Sequence, residues 1–297
     1  MHIDDNMHIF HYSEGEHIMR KVHIVTDSTA DLKEEDILNY GIQIVPLTIQ
    51  IDGESFVDGI DILPESFLGM MEAASELPKS SQPAAGIFHE LYDRLGEDGS
   101  EIISIHMTAG MSGTVKSAQA AAEMTDAKVT VIDSMFISHG LSFQVLEAAK
   151  MADEGKTVEE IVVRLNAVRE QTTLFVVVDV LDNLVKGGRI GKGRAMLGSL
   201  LNIKPIATLQ DGVYTPVAKA RSHKQVVSHL FRVFTEETAG KIIRGVGISH
   251  ANGLKMALPL KKLIEDSGIK DVKLTFTSPI ISTHTGEGAI GFMYYTD

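Results

Sequence analysis

The chain has 297 residues, of which 44% are hydrophobic, with no cysteine and a formal net charge of −13. That length allows two domains or one large one, and the apolar content supports a substantial core and excludes wholesale disorder. Disulfides and thiolate metal sites are excluded, and the acidic balance argues against nucleic acid or an anionic membrane as the main partner, leaving room for a local basic patch.

Residues 1–20 differ from the rest of the chain. They hold His2, His8, His11 and His17 with acids between them, but the spacing matches no metal motif and reads as a loose, solvated extension. Met19 stands just before the first strand, as an upstream start would leave it. The segment is too polar and mixed for a signal peptide, and no apolar run reaches the length of a membrane span. A soluble cytoplasmic protein is the expectation.

Val22 to Val25 reads as a buried strand ending in Thr26-Asp27-Ser28-Thr29-Ala30-Asp31-Leu32. A helix from Lys33 to Tyr40 and a strand region from Ile42 to Ile51 come next, with Asp52-Gly53 as a turn. A small lobe is expected over about 52–80, with a helix from Pro64 to Ala74. Lys79-Ser80-Ser81-Gln82-Pro83 reads as a hydroxyl-rich loop before a helix from Ala85 to Leu95.

The alternating apolar run at Ile102–Ile105 predicts a strand, and Ser117–Met124 has strong helix-forming composition. Between them lies Thr108-Ala109-Gly110-Met111-Ser112-Gly113-Thr114. A strand-to-helix loop with two glycines presents free backbone N–H groups to an anion at Ser112-Gly113-Thr114. Taken alone, the stretch reads more readily as an ordinary N-cap by Ser112 or Thr114. Another strand, Lys128 to Ile132, ends at Asp133-Ser134, and helices from Gly140 to Glu154 and Thr157 to Glu170 succeed it. Strand and helix alternating over 21–170 predict an open, largely parallel sheet. Ligands sit outside the carboxyl ends of such strands, and three of these strands end in polar residues.

From about Gln171 the pattern changes, and 171–297 reads as a second α/β domain with a mixed sheet. It has a strand at Leu174–Val178, a short helix and glycine turn over Leu181–Ile190, and a helix from Ala195 to Asn202. A hairpin is expected over Asp211-Gly212 (Pro205–Gln210 with Val213–Ala220). Helices at Lys224–Thr235 and Leu254–Asp266 alternate with strands at Gly245–Ser249 and Lys273–Phe276. The end is Pro279–Thr285, a Gly286-Glu287-Gly288 loop, and a strand at Ala289–Tyr295. The predicted fold class is α/β, two-domain, with the ligand between the domains.

Two nucleotide motifs fail. Gly187-Gly188-Arg189-Ile190-Gly191-Lys192-Gly193 is one residue short of a phosphate loop, with Gly193 where a hydroxyl belongs, and Gly245-Val246-Gly247 continues into His250. A Ser112/His284 hydrolase or transferase, with Asp133 or Asp27 completing a triad, is the rival reading, although Ser112 lies in no nucleophile elbow. The plain alternative for His284 is a loop histidine bonded to backbone. The sharper one is a hydrogen-bond donor to a bound anion beside Thr283 and Thr285. Thirteen methionines suit an adaptable apolar tunnel as well as ordinary core packing.

Val25-Thr26-Asp27-Ser28-Thr29-Ala30-Asp31-Leu32, Ser81-Gln82-Pro83, Ser112-Gly113-Thr114, Val131-Ile132-Asp133-Ser134, Lys186-Gly187-Gly188-Arg189-Ile190, Leu201-Asn202-Ile203-Lys204-Pro205 and His284-Thr285-Gly286 occur in this order. The set resembles the DegV family over about 21–297. The resemblance implies a carrier rather than an enzyme, holding a long-chain fatty acid such as palmitate between two α/β domains, with its chain running into the first. It implies a separate ATP-dependent fatty acid kinase subunit as partner, making acyl phosphate for phospholipid synthesis, and no cofactor or metal. By position, Ser80 and Ser112 resemble the family's carboxylate-binding hydroxyls and His284 its carboxylate-contacting histidine. Gly113, Thr114, Asp27 and Ser28 form the supporting loops. Arg221 resembles the arginine linked to phosphotransfer, and Arg189 a surface arginine that docks the kinase. Neutral hydroxyls and helix-start N–H groups then hold the carboxylate without a formal cation. Where the family usually has threonine this chain has Ser80, and where it often has proline this chain has Glu287, which is expected to face solvent.

Overall fold

The apolar run after Lys21 becomes β1 (Val22–Asp27), with five of its six residues buried, as an inner strand of a parallel sheet requires. The computed structural model describes residues 22–196 and 203–297. The amino-terminal extension and most of the helix expected at Ala195–Asn202 therefore lie outside the described residues.

A 3-10 turn (Ser28–Ala30), α1 (Glu34–Tyr40) and β2 (Gln43–Val45) continue from β1. The strand expected over Ile42–Ile51 is interrupted at Pro46, which has no N–H for a ladder. The chain passes there into a small antiparallel sheet of order β4-β3-β5, made by β3 (Thr48–Ile51), β4 (Glu54–Val57) and, after α2 (Pro64–Ala73), β5 (Lys79–Ser81). The small lobe thus begins earlier than expected. Ser80 sits on a strand rather than a loop, opposite Ile49 of β3.

Helix α3 (Ala85–Gly96), β6 (Glu101–His106), α4 (Thr114–Ala122), β7 (Val129–Asp133), α5 (Ser138–Asp153) and α6 (Val158–Glu170) continue the chain. Strands β2-β1-β6-β7 form a wholly parallel sheet. The next elements are β8 (Thr172–Val177), α7 (Asp182–Lys186), a 3-10 turn (Gly191–Met196), β9 (Lys204–Gln210), β10 (Val213–Ala220) and α8 (His223–Thr238). Then come β11 (Ile243–Ala251), α9 (Leu254–Asp266), β12 (Val272–Phe276), α10 (Pro279–Thr285) and β13 (Ala289–Thr296). Their sheet runs β10-β9-β8-β13-β11-β12, antiparallel except for β11 and β12.

Three cores hold these layers together. Phe88, Leu91, Tyr92, Ala118 and Ala121 cover the outer face of the parallel sheet. Val226, Leu230, Phe234, Leu260 and Ile264 cover the outer face of the mixed sheet. The largest core lies between the two sheets, and α5 runs through it against strands of both. Helix α5 buries residues around its whole circumference, from Ser138 and His139 to Ala152, which explains its lack of a polar face. No helix among the described residues is long and apolar enough to cross a membrane.

Candidate functional site

Between the sheets lies a cavity of about 300 Å³, within the usual size of small-molecule sites. Leu47, Met107, Met111, Ile137, Val176, Leu184, Tyr214, Ile280 and Ile281 give it apolar walls. Ser80, Ser112, Gln82, Arg189, His284 and Thr285 supply its polar groups. These residues are scattered from Leu47 to Thr285, which is why no single motif outlines the cavity.

His284 stands in the last turn of α10, not in a loop. Ser278 caps that helix by accepting from the N–H of Ile281, and Pro279 occupies its first position, where no N–H is needed. His284 Nε2 lies 2.8 Å from Ser80 Oγ, joining residues 204 positions apart. Its Nδ1 is buried and has no hydrogen-bond partner among the described residues. That face is packed on Gly187, where any Cβ would come within 2.3 Å of Nδ1. Burial, reinforced by the Arg189 charge, pushes the imidazole down to about 4, so the ring is neutral near pH 7.

Ser112 stands one residue before the N-cap of α4, so neither Ser112 nor Thr114 caps the helix as the local reading had it. Ser112 lines the cavity, and its Oγ accepts from the Thr114 N–H at 3.3 Å and lies 2.8 Å from Thr114 Oγ1. Gly113 is the N-cap of α4, and a Cβ there would meet the Gln82 side chain. Gln82 in turn donates to Ser117 Oγ at 3.2 Å, tying the Ser80 strand to α4.

Arg189 corrects two expectations. It is half-buried and lines the cavity rather than standing free on the surface. Its Nε donates to the Met111 carbonyl at 3.0 Å and its Nη1 to the Gly187 carbonyl at 2.6 Å. It has no carboxylate partner among the described residues, and burial pushes its pKa down. A formal cation therefore lines the cavity, where neutral donors alone were expected. Arg221, by contrast, is exposed and outside the lining; its backbone N–H donates to Gln225 Oε1.

Asp27 and Ser28 act one layer behind the walls. Asp27 is fully buried and accepts from the Met107 N–H, from Thr29 and from His106 Nδ1. Burial alone would raise this carboxyl; the His106 bond and charge, with Thr29 and Met107, more than offset it and hold the pKa low. Ser28 Oγ donates to Asp58 at 2.6 Å and accepts from the Leu47 N–H. Met107 and Leu47 are both cavity walls.

The rival triad is not assembled. Asp27 is committed to His106, which also contacts Ser104 in a wholly buried chain ending at Tyr92. Asp133 accepts from the N–H groups of Ala109 and Met135. No carboxylate orients His284 among the described residues, and its hydrogen bond goes to Ser80 rather than Ser112. The ordered acid-base-nucleophile relay that such chemistry requires is not formed by Ser112 and His284; Asp27, His106 and Ser104 follow that order, but all three are fully buried and out of reach of a substrate. Glu287 is exposed and accepts from Asn252, pointing away from the site.

Sequence reasoning missed Tyr214, Leu47, Gln82 and the cavity role of Arg189. Gln82 was detectable from its neighbourhood to Ser80. Tyr214, alternating with Val213 on β10, was detectable as inward-facing by strand period. Arg189 gave no such signal, because the fold of the Gly187-Gly188 turn decides where it points.

Residues 21–297 match the family model described as "Uncharacterised protein, DegV family". A DegV domain-containing protein of Listeria monocytogenes is 46% identical over 281 residues, covering 94% of this chain and 100% of its own. A fatty-acid-binding DegV family protein from Thermus thermophilus shares 30% identity and superposes with a TM-score of 0.88, over 93% of this chain and 99% of that one. DegV of Bacillus subtilis, a fatty acid binding protein, shares 32% identity with a TM-score of 0.84 and the same coverage. A DegV family protein from Eubacterium eligens, loaded with heptadecanoic acid, shares 29% identity with a TM-score of 0.80, over 93% of this chain and 100% of that one.

Proposed function

The chain belongs to the DegV family, and from that premise we propose that it is a long-chain fatty acid carrier. The carboxylate is held at Ser80, Ser112 and His284, with the Arg189 charge beside them, and the acyl chain fills the apolar part of the cavity between residues 21–170 and 171–297. The observation that carries this reading is the mixed lining of the cavity. Its hydroxyls, imidazole and guanidinium come with walls of Leu, Ile, Val and Met. A fatty acid has the same division, one charge and a long apolar tail.

The energetics agree. Burying the tail contributes about 0.8 kcal/mol per methylene. The carboxylate needs donors at its destination, and a guanidinium with hydroxyls makes charge-assisted bonds stronger than neutral ones. The neutral His284 donates or accepts through Nε2 without adding a second buried charge. The carrier presents its fatty acid to a separate ATP-dependent kinase, which forms the acyl phosphate, with exposed Arg221 serving phosphotransfer.

The test is mass spectrometry of an organic extract of the purified protein, paired with Ser112→Ala. A fatty acid at near-stoichiometric amount is expected, with about tenfold weaker retention in the variant, as for loss of one charge-assisted hydrogen bond. A protein that yields no fatty acid and takes up none when it is added would overturn the proposal. For the partner, the loaded protein, ATP and a candidate kinase should yield acyl phosphate; failure with Arg221→Ala but not with wild type would assign that residue.

A further inference from the structure

Helix α10 supplies Ile280, Ile281, His284 and Thr285 to the cavity wall, yet it spans seven residues. A helix this short does not hold its own position in water. Beside the Ser278 cap and the Thr277 N–H bond to the His250 carbonyl, a carboxylate from the other sheet holds its start. Asp31 lies just beyond β1 of the parallel sheet. Its Oδ1 accepts from the Ser278 N–H at 2.9 Å, and its Oδ2 accepts from Thr277 Oγ1 at 2.9 Å and from Ser138 Oγ at 2.5 Å. Ser138 Oγ also lies 2.9 Å from Ser249 Oγ on β11. One carboxylate thus joins the end of β1, the start of α5 and the residues that open α10.

Two features mark this joint as more than packing. Asp31 and Ser138 both adopt left-handed backbone conformations, with φ of 45° and 54°. Such residues are strained outside glycine and persist where the surroundings over-determine them. The Asp31 carboxyl is also desolvated, and no cation among the described residues contributes to its electrostatics; burial raises it to about 6 despite three donors. A buried carboxylate with hydrogen bonds but no counter-ion is costly, so the geometry is maintained against a local penalty.

We propose that Asp31 is a positioning residue: by holding Thr277 and Ser278 across the two sheets, it sets where α10 presents His284 to the ligand. The affinity part of this inference rests on the fatty-acid reading above; the placement of the histidine does not.

The experiment combines Asp31→Asn, His284→Ala and the double variant. Asp31→Asn keeps the size of the side chain but opposes an amide NH2 to donors. It should weaken binding of a fluorescent long-chain fatty acid about tenfold in the wild-type background and less than twofold in the His284→Ala background. A loss of equal size in both backgrounds, or no loss, would overturn the proposal. In parallel, the His284 ring is titrated by NMR, its signal identified by its absence in His284→Ala. It should titrate near 4 in the parent and move up towards the ordinary histidine value in Asp31→Asn. An unmoved titration overturns the positioning role even if no fatty acid binds at all, so the two readings fail separately. Should Asp31→Asn not fold, Thr277→Val removes one of the three bonds and should show a smaller shift in the same direction.

Discussion

At the scale of single residues, burial decides the charge state of several titratable groups in and around the site. His284 and the fully enclosed His139 are both pushed down, to about 4 and about 3, in each case first by burial. Their folded values lie below the unfolded ones, so the stability they allow is present above about pH 6.5 and is lost as pH falls towards the folded values. Asp58 acts in the opposite direction. It is 2% exposed, its Oδ1 has no partner, and burial raises it to about 8 against the Ser28 hydrogen bond. The native state then holds a proton that the unfolded chain has released, so this group favours the native state less as pH rises from about 4 to 8. Asp58→Asn removes that titration. Its thermal midpoint, compared with the parent at pH 5 and pH 8.5, should gain on the parent as pH rises; a difference independent of pH would refute the assignment. The residue types at these positions were readable in the sequence, but their charge states were not, because desolvation depends on what the fold places around them.

At the scale of elements, two Asp-Gly hairpins show how one local signal serves two ends. Asp52-Gly53 and Asp211-Gly212 both have positive φ at each residue, the turn that Asp-Gly favours between antiparallel strands. At the first, Asp52 accepts from Ser75, but nothing lies within 4 Å of a Cβ at Gly53. The second docks on the loop that carries Ser112. Thr108 Oγ1 donates to the Gly212 carbonyl at 3.2 Å, and a Cβ at Gly212 would lie 1.9 Å from that same oxygen. Gly110 meets Gly212 from the other side, where a Cβ would come within 2.6 Å of its carbonyl. Alanine at Gly53 or Gly212 bears the left-handed backbone strain of about 1–2 kcal/mol, and only Gly212→Ala adds a collision. Denaturant unfolding should therefore show Gly212→Ala losing at least about 1 kcal/mol more than Gly53→Ala; equal losses would mean that the docked contact contributes nothing. Both turns were legible from the dipeptide. The docking was not, since it pairs residues more than a hundred positions apart.

At the scale of the whole molecule, the cavity lies where two sheets and a helix buried all round fail to fill the space between them. A ligand that occupies it binds the native state and not the unfolded chain, so it stabilises by mass action, by about 2.7 kcal/mol at a hundredfold excess over Kd. Protein stripped of lipid should melt lower by scanning calorimetry and recover its midpoint when a long-chain fatty acid is restored; identical midpoints at saturating ligand would argue against a site in the core. The α/β class, the parallel sheet of the first half and the mixed sheet of the second derive from local pattern, because apolar period and turn chemistry act over a few residues. So does the concentration of polar residues at strand ends, whereas the N-cap expected at Ser112 or Thr114 falls on Gly113. The tertiary structure alone decided that His284 meets Ser80, and that Arg189 reaches the Met111 carbonyl at the cavity instead of turning outwards. It also decided that Asp31 bridges the two sheets to the start of α10. Each of these is a contact between residues distant in sequence, and its existence depends on the packing of whole layers, which no local window contains.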